Sequence, residues 1–485
     1  MQNRKNTVDW HGVMINGKNE TSMSWKRSYP GDRVDRFLQA SEQGRLAADI
    51  IRRLQSQGYE TYLVGGAVRD SLLGRSPREF DIASSAHPRQ VAETFPEARW
   101  VGAQFGVMLV PLQGYNFDVA TFRRDSHYID GRHPQQVKFC SAQEDACRRD
   151  FTVNALYYDP VRKRVYDDVG GWDDLGNRIL RTIGPARTRL EEDYLRIMRA
   201  VRFAAQLRFR IAPELRTEIE HLRDKIAGLS MERVQMEMNK LLLAPGKRFG
   251  LELMQQFGLM RVLLPEVNAM SGVPQSAKHH PEGDVWQHIL KMFDHLVWPD
   301  PVLAWAVLLH DVGKPITYAQ NEKGEPTFYQ HEAIGSELAR DILQRLRYSN
   351  EHTTRVSRLV RRHMQFTQLP HMRQSTLRRF MDSPDFGLEL ELHRIDCAAS
   401  HARFHTYHYA LDVLHRFANT PLVPPPLLRG RDIVAAGIPP GPVVGQLLQE
   451  LQQLQLDGKI SQEEEAREWL SRRLQTMNDN RGSGQ

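Results

Sequence analysis

Residues 61–84, TYLVGGAVRDSLLGRSPREFDIAS, restrict the possible folds more than any other stretch of the chain. The run Thr61-Tyr62-Leu63-Val64 reads as a buried strand. Gly65-Gly66 breaks it, helical spacing follows, and two acids split by an aromatic, Glu79-Phe80-Asp81, come next. Upstream, RLAADIIRRLQSQG places apolar residues three and four apart. Helix, strand, glycine turn and helix in that order require a sheet with helices packed on it. Downstream, apolar runs interrupted by glycine predict antiparallel strands over residues 107–112 and 116–122. From 190 to 265, Leu, Ile, Met and Ala recur almost without interruption at helical spacing, which predicts helices alone. The expected class is α+β, with a mixed-sheet head followed by helical domains.

Residues two apart in a strand share a face, so Glu79 and Asp81 are expected to point the same way. Such a pair suits Mg²⁺, which takes a few carboxylate oxygens together with substrate phosphates. Two such ions activate an attacking hydroxyl and stabilise a pyrophosphate leaving group. Asp118, in NFDVATF, offers a third carboxylate from a neighbouring strand; the alternative is a strand-edge acid facing water. Gly65 and Gly66 allow backbone amides to approach a phosphate closely, and Arg69 is placed to add charge beside them. Taken singly, a glycine pair marks a turn and neighbouring acids mark a surface. The combination points to chemistry on a phosphate.

At 485 residues the chain is too long for one core. Residues 1–40 are polar and aperiodic, and are expected to be a disordered extension. The head is expected over 41–180 and a helical neck and body over 181–270. A histidine-rich helical domain should cover 279–415, and a helical tail 428–478 should follow the proline-rich TPLVPPPLLRG. No stretch approaches the roughly 20 apolar residues of a membrane helix. The amino terminus lacks the apolar core of a secretory signal. Cys140, Cys147 and Cys397 are odd in number and widely spaced, which fits reduced thiols in a cytoplasm. A net charge of +6 is compatible with a polyanionic partner and equally with an ordinary solvated surface.

Five segments occur in a telling order: LVGGAVRDSLLGRSPREFDIAS, FDVATFRRDSHYIDGRHPQQVKF, ACRRDFTVNALYYDP, DDVGGWDDLGNRILRTIG and EEDYLRIMRAVRFAAQLRF. Together they resemble the bacterial tRNA nucleotidyltransferase and poly(A) polymerase family over about residues 45–270. The resemblance implies a polymerase-beta-type head, tRNA as partner, CTP and ATP as substrates, and attack of the RNA 3′-hydroxyl on the α-phosphate. It puts the catalytic carboxylates at Glu79, Asp81 and Asp118, with Mg²⁺ on Glu79 and Asp81. The family pattern usually has Asp where this chain has Glu79, whose extra methylene carries the carboxylate further out. The resemblance also implies nucleotide binding by Gly65, Gly66, Arg69, Arg148, Arg149, Asp150 and Asn154. Asp193 and Arg196 would read the base edge from one helical face, because they lie three apart. Arg199 and Arg202 would meet triphosphate or RNA backbone, or form a solvated basic face. The polar stretch Arg124–Ala146 resembles the family's mobile loop that switches from C to A addition, which argues against a CC-only enzyme.

Fourteen of the 19 histidines lie between His279 and His415. LAWAVLLHDVGKP, FYQHEAIGSELARDIL, VRRHMQF and LHRIDCAASH resemble the HD phosphohydrolase domain. The resemblance implies a metal site of His288, His310, Asp311 and Asp396, with His331 and His363 matching a second ion in some members. Imidazole with carboxylate suits Mn²⁺, Ni²⁺, Co²⁺ or Fe²⁺ better than Mg²⁺ alone. His279, His280, His401, His405 and His408 are read as bystanders or RNA-facing groups. The first reading is therefore a template-independent enzyme that builds or repairs the CCA end of tRNA, with a phosphatase or 2′,3′-cyclic phosphodiesterase module. No DNA or membrane partner is expected, and the oligomeric state is left open. A poly(A) polymerase, an A-adding enzyme, and a phosphohydrolase whose head only binds RNA are the alternatives.

Overall fold

The computed structural model describes residues 25–101, 106–128, 134–276 and 283–482. The chain divides into two compact units at Pro265/Glu266. His279 and His280 lie outside the described residues.

The first unit opens with β1 (Arg27–Pro30), α1 (Asp32–Ala40), α2 (Glu42–Ser56), β2 (Thr61–Val64), α3 (Gly66–Leu72), β3 (Asp81–Ser84) and α4 (Pro88–Thr94). It continues through β4 (Arg99–Trp100), β5 (Val107–Leu112), β6 (Tyr115–Thr121), β7 (Arg123–Tyr128), β8 (Pro134–Phe139), α5 (Ala142–Cys147), β9 (Tyr157–Asp159) and β10 (Arg164–Asp167). Eight of these strands form one mixed sheet in the order β1-β10-β9-β2-β3-β6-β5-β4, with β3 and β6 parallel and the other pairs antiparallel. The strands expected at 107–112 and 116–122 are β5 and β6.

Contrary to the expectation for residues 1–40, β1 is an edge strand of this sheet, and Tyr29, Val34 and Leu38 are buried. Trp25 packs against Tyr62, Tyr157 and Tyr166 at ring distances of 5.8, 5.1 and 5.4 Å. These three buried residues are spread over ten positions, and the single helical pair Val34 and Leu38 is too short a pattern to mark the segment. The segment Arg124–Ala146 contains the antiparallel hairpin β7–β8 and most of α5, which Ser141 and Glu144 cap reciprocally.

After the sheet come α6 (Gly171–Asn177), β11 (Ile179–Leu180), α7 (Ala186–Glu192), α8 (Leu195–Leu207), β12 (Arg210–Ile211), α9 (Pro213–Leu222), α10 (Met231–Leu242), α11 (Lys247–Gln256) and α12 (Leu259–Leu263). The short parallel pair β11–β12 joins head to neck.

α13 (Pro265–Asn268) spans the boundary. The second unit contains α14 (Val285–His295), α15 (Pro301–Leu309), α16 (Lys314–Thr317), β13 (Tyr318–Gln320), β14 (Pro326–Phe328), α17 (His331–Arg345) and α18 (Asn350–Arg362). Then follow α19 (Gln374–Met381), α20 (Phe386–Ala399), α21 (His405–Arg416), α22 (Gly430–Ala435), α23 (Pro442–Leu456) and α24 (Glu463–Gly482). α15, PVLAWAVLL, is apolar on every side and buried from Val302 to Leu309, as such a helix must be. Asp300 caps its start by accepting from Leu303 N at 2.9 Å. Its other end carries His310 and Asp311 into the interior. The tail packs a small core of its own from Leu428, Ile433, Leu447, Leu451, Ile460 and Leu470.

Candidate active site and histidine centre

Strand register assembles the head site. Val64 stands opposite both Asp81 and Tyr157, and the parallel pairing Ile82↔Val119 puts Asp81 beside Asp118. Asp118, Asp81, Val64 and Tyr157 therefore form a row across four strands, on one face of the sheet. In β6 the alternation buries Phe117 and Val119 and leaves Asp118 exposed. The carboxyl of Asp81 is raised above its ordinary range, first by burial and then by the neighbouring charges of Glu79 and Asp118; Arg149 acts in the opposite direction. Three carboxylates gathered at one place form a donor set fit for a hard cation. One expectation needs correction: β3 begins at Asp81, so Glu79 lies in the preceding exposed loop and not on the strand.

Gly65 closes the turn between β2 and α3 at φ +71°, in the left-handed region. A Cβ there would sit 3.6 Å from both Arg149 Nη1 and Asp81 Oδ2. The glycine thus brings bare backbone up to the acid row and to a guanidinium. Asp145, 1% exposed, holds that guanidinium in place. It accepts from Arg149 Nη2 at 3.2 Å, from Arg148 Nε at 2.8 Å, and from the hydroxyl of Tyr157. It also accepts from the backbone N–H of Arg123 at 3.2 Å, which ties the base of the β7–β8 hairpin to the arginine pair. Arg149 and Arg148 hold the Asp145 carboxyl below the usual range against its burial.

Other expected nucleotide-binding groups are occupied by one another. Arg69 is buried, donating to Asn154 Oδ1 at 2.6 Å and to Asp70 Oδ1 at 2.8 Å. Asn154 in turn donates to Asp150 Oδ1 at 3.0 Å, and Arg199 donates twice to Asp150 Oδ2 at 2.9 and 2.5 Å. Despite burial, the Arg199 charge and the Asn154 hydrogen bond bring the Asp150 carboxyl down to about 2. Arg202 pairs with Glu237 of α10. Arg69, Asp150, Asn154 and Arg199 thus form a brace that fastens α3 to α8.

Asp193 and Arg196 do not share a helical face. Asp193 is extended at the end of α7, accepting from Arg233 Nη2 at 2.5 Å and from Leu195 N at 3.0 Å. Arg196, on α8, donates to the carbonyl of Arg189 at 2.6 Å and to Glu192. Local spacing suggested one helix, but the chain breaks between Glu192 and Leu195. Sequence reasoning missed Asp145, Tyr157, Glu192, Arg233 and Glu237. Asp145 was within reach, because it lies three and four residues before Arg148 and Arg149. Glu237 leaves no local signal.

In the second unit, His288, His310 and Asp311 bring ligand atoms within 4.8 Å of one another, as do Asp311, His331 and His363. All five are buried. Asp311 belongs to both sets. Its Oδ2 lies 3.2 Å from His310 Nε2 and 2.7 Å from Lys314 Nζ; its Oδ1 lies 3.5 and 3.9 Å from His331 and His363 Nε2. Asp396, on α20, reaches His288 Nε2 at 3.2 Å. Although burial opposes it, the polar groups packed around it, His310 and Lys314 first, hold Asp311 well below the carboxylate range.

The Nδ1 atoms of His310, His331 and His363 face the carbonyls of Val307, Phe328 and Val360 at 3.1, 2.8 and 2.7 Å. A carbonyl only accepts, so each Nδ1 carries the proton and each Nε2 presents a lone pair inward. His331 Nε2 and His363 Nε2 stand 3.2 Å apart. Two lone pairs so placed, beside an ionised Asp311, fit a shared metal ion. Gly313 makes the arrangement possible: a Cβ there would strike the His331 carbonyl at 2.2 Å. His393 stands apart from the cluster, bonded to Thr406 Oγ1 at 2.7 Å and stacked on Phe366.

Among the described residues no helix is long and apolar enough to cross a membrane. Residues 61–181 match the family described as the poly A polymerase head domain. Residues 208–270 match the probable RNA and SrmB-binding site of polymerase A, and residues 285–385 the HD domain. The crystal structure of the Bacillus stearothermophilus CCA-adding enzyme in complex with CTP superposes with a TM-score of 0.68 at 28% identity, over 91% of this chain and all of that one. The CCA-adding enzyme of Geobacillus kaustophilus is 43% identical over 218 residues, which is 45% of this chain and about half, 54%, of that enzyme's length. The CC-adding tRNA nucleotidyltransferase of Thermus thermophilus is 36% identical over 426 residues, covering 85% of this chain and 93% of its own. A match of that identity over nearly the whole of both proteins places the chain in the tRNA nucleotidyltransferase family.

Proposed function

We propose that this protein adds the 3′-terminal CCA of tRNA from CTP and ATP without a template, in the cytoplasm. The observation that carries this reading is the register-fixed row of Asp118 and Asp81 beside Gly65 and Arg149. Glu79, Asp81 and Asp118 would hold Mg²⁺, which supplies charge to ionise the RNA 3′-hydroxyl and to neutralise departing pyrophosphate. The chain itself sets the geometry. Gly65 offers backbone to the triphosphate, and Arg149 and Arg148 meet its negative oxygens in a fixed fork. Asp145 and Tyr157 keep those guanidinium groups from turning away. Asp193, Arg196 and their partners Arg233 and Glu192 supply the donors and acceptors for a base edge. Recognition of tRNA would rest on shape and phosphate contacts and weaken with salt.

The test is incubation with Mg²⁺, CTP, ATP or both, and tRNAs ending at the discriminator base, at C or at CC, followed by sequencing of the products. Ordered growth to CCA and arrest is the expected result. Arrest at CC would assign the activity named for the Thermus relative, addition of A alone a partitioned pathway, and long A tails a poly(A) polymerase. No addition would leave the head as a binding module. Glu79→Asp sharpens the last case: a sharp rise in CTP incorporation with unchanged RNA affinity would mark the natural head as impaired.

For the second unit we propose phosphohydrolase action on RNA 3′ ends at the histidine centre, where Asp311 belongs to both candidate ligand sets. His288, His310 and Asp396 would complete one ion's ligands, and His331 and His363 the other's. The mixed imidazole and carboxylate donors favour Mn²⁺, Ni²⁺ or Co²⁺.

A further inference from the structure

One ring lies where the parts of the head site meet. Phe203, on α8, is buried and offers a nucleotide no hydrogen-bonding atom. Three guanidinium groups stand over it, those of Arg69, Arg199 and Arg202, at 5.2, 5.3 and 3.8 Å from its centroid. Arg69 comes from α3, the helix that opens at the glycine turn, and its Nη2 lies 3.6 Å from where a Cβ on Gly66 would stand. The ring of Phe151, itself buried, stands nearly perpendicular to Phe203, at 77° and 5.7 Å. Phe151 follows directly on residues 148–150, which include the arginine pair. Arg196 lies two turns before Phe203 on the same face of α8. A single side chain therefore touches the helix of the phosphate turn and the segment of the arginine pair, and shares its own helix with a base-edge group.

Filling space does not by itself call for this arrangement. Like charges repel, and a buried guanidinium has lost its water. Arg69, Arg199 and Arg202 each pair with a carboxylate, Asp70, Asp150 and Glu237 respectively, but among these groups only the ring is common to all three arginines. Burial lowers the Arg202 guanidinium, with Glu237 opposing and Arg199 adding to the fall, as cations held close together require. The face of an aromatic ring is negative and attracts cations most where water is excluded. An aliphatic side chain of similar bulk fills the same space and gives the arginines nothing to gather on. We propose that Phe203 is a positioning residue for nucleotide selection. By gathering Arg69, Arg199 and Arg202 it fixes the span between the phosphate turn and the base-edge groups, so that the correct nucleotides fit both at once. The inference rests on the reading of the first unit as a nucleotide-adding site.

The experiment is steady-state incorporation of CTP, ATP, UTP and GTP by the full-length protein with Mg²⁺, on tRNAs ending at the discriminator base and at CC. It compares the wild type with Phe203→Leu, Phe203→Met and Phe203→Tyr. Thermal melting by circular dichroism and tRNA affinity are measured on the same samples. In the Leu and Met variants the preference in kcat/KM for the correct nucleotide over UTP or GTP should fall by about tenfold, through a raised KM for the correct nucleotide. Affinity for tRNA should stay within about twofold, since phosphate contacts elsewhere carry it. Phe203→Tyr keeps the ring and should retain the preference within about threefold. A wild-type protein that adds no nucleotide would overturn the nucleotide-adding reading and this inference with it. With an active wild type, three results would overturn the inference alone: an undiminished preference in the Leu and Met variants, an equal loss in Phe203→Tyr, or failure of both non-aromatic variants to fold. A fall in kcat equal for all four nucleotides would do the same, because a loosened fold lowers every rate alike.

Discussion

The two candidate metal regions are built on opposite plans. In the head, one carboxylate begins a strand, one stands in mid-strand and one lies in a loop. All three, Asp81, Asp118 and Glu79, keep surface open to solvent, and the protein packed around the Asp81 carboxyl raises it, with its acidic neighbours adding to the effect. In the histidine centre the cluster of five is buried, and three of its imidazoles have their protons anchored by backbone carbonyls. An open oxygen-only set is left incomplete until a substrate brings phosphate oxygens, so its ion is expected to come and go with the triphosphate. A buried imidazole and carboxylate set is complete without substrate, so its ions are expected to be resident. One chain would thus carry one metal site assembled by the substrate and another assembled by folding.

Four measurements would sharpen or break that contrast. The largest effect is expected for Asp81→Ala, which should lower the rate of nucleotide addition by about 10³-fold or more, since it removes the central member of the acid row. Metal content of the purified protein should not change, and a loss of tightly bound metal would contradict the proposed independence of the two sites. Asp311→Asn should strip the resident ions from the second unit, read as metal per chain by mass spectrometry, while nucleotide addition stays within about twofold. Retention of one ion would show that the two ligand sets do not depend on their shared carboxylate.

Asp145→Asn should raise KM for CTP by about tenfold with a smaller change in kcat, because the lost charge frees Arg148 and Arg149 from their common anchor. An equal fall in kcat for every substrate, with a lowered melting temperature, would indicate damage to the fold instead. The smallest effect concerns His393, which burial brings down to about 4. The unfolded chain, with a histidine near 6.5, takes up the proton first, so this contribution is complete above pH 6.5 and is lost as pH falls towards 4. Between pH 7.5 and 5 the loss is about 2 kcal/mol. Urea unfolding of His393→Phe should show a pH dependence shallower by that amount, and an unchanged dependence would show that His393 opens readily to solvent.

Much of this was legible along the chain because it is local. The glycine turn, the strands at 107–112 and 116–122, the buried helix ending in His310-Asp311 and the crowding of histidines follow from spacing and composition. The order of five motifs then pointed to the tRNA nucleotidyltransferases. Partnerships between side chains were not legible in the same way. Asp193 and Arg196 look like one helical face until the chain breaks between Glu192 and Leu195. That Asp150, Asn154, Arg69 and Arg199 bond to one another is visible only once the fold brings them together.

Residue type and periodicity by themselves determined which segments form sheet or helix, and which acids and histidines have chemistry to offer, since those properties act over a few residues. Only the tertiary structure decided that Asp118 stands beside Asp81, that Asp145 anchors two arginines and the hairpin at once, and that Asp311 serves both histidine sets. Such decisions depend on strand register and on the close approach of side chains to the backbone at Gly65 and of backbone to backbone at Gly313, where contacts form between residues far apart in the chain.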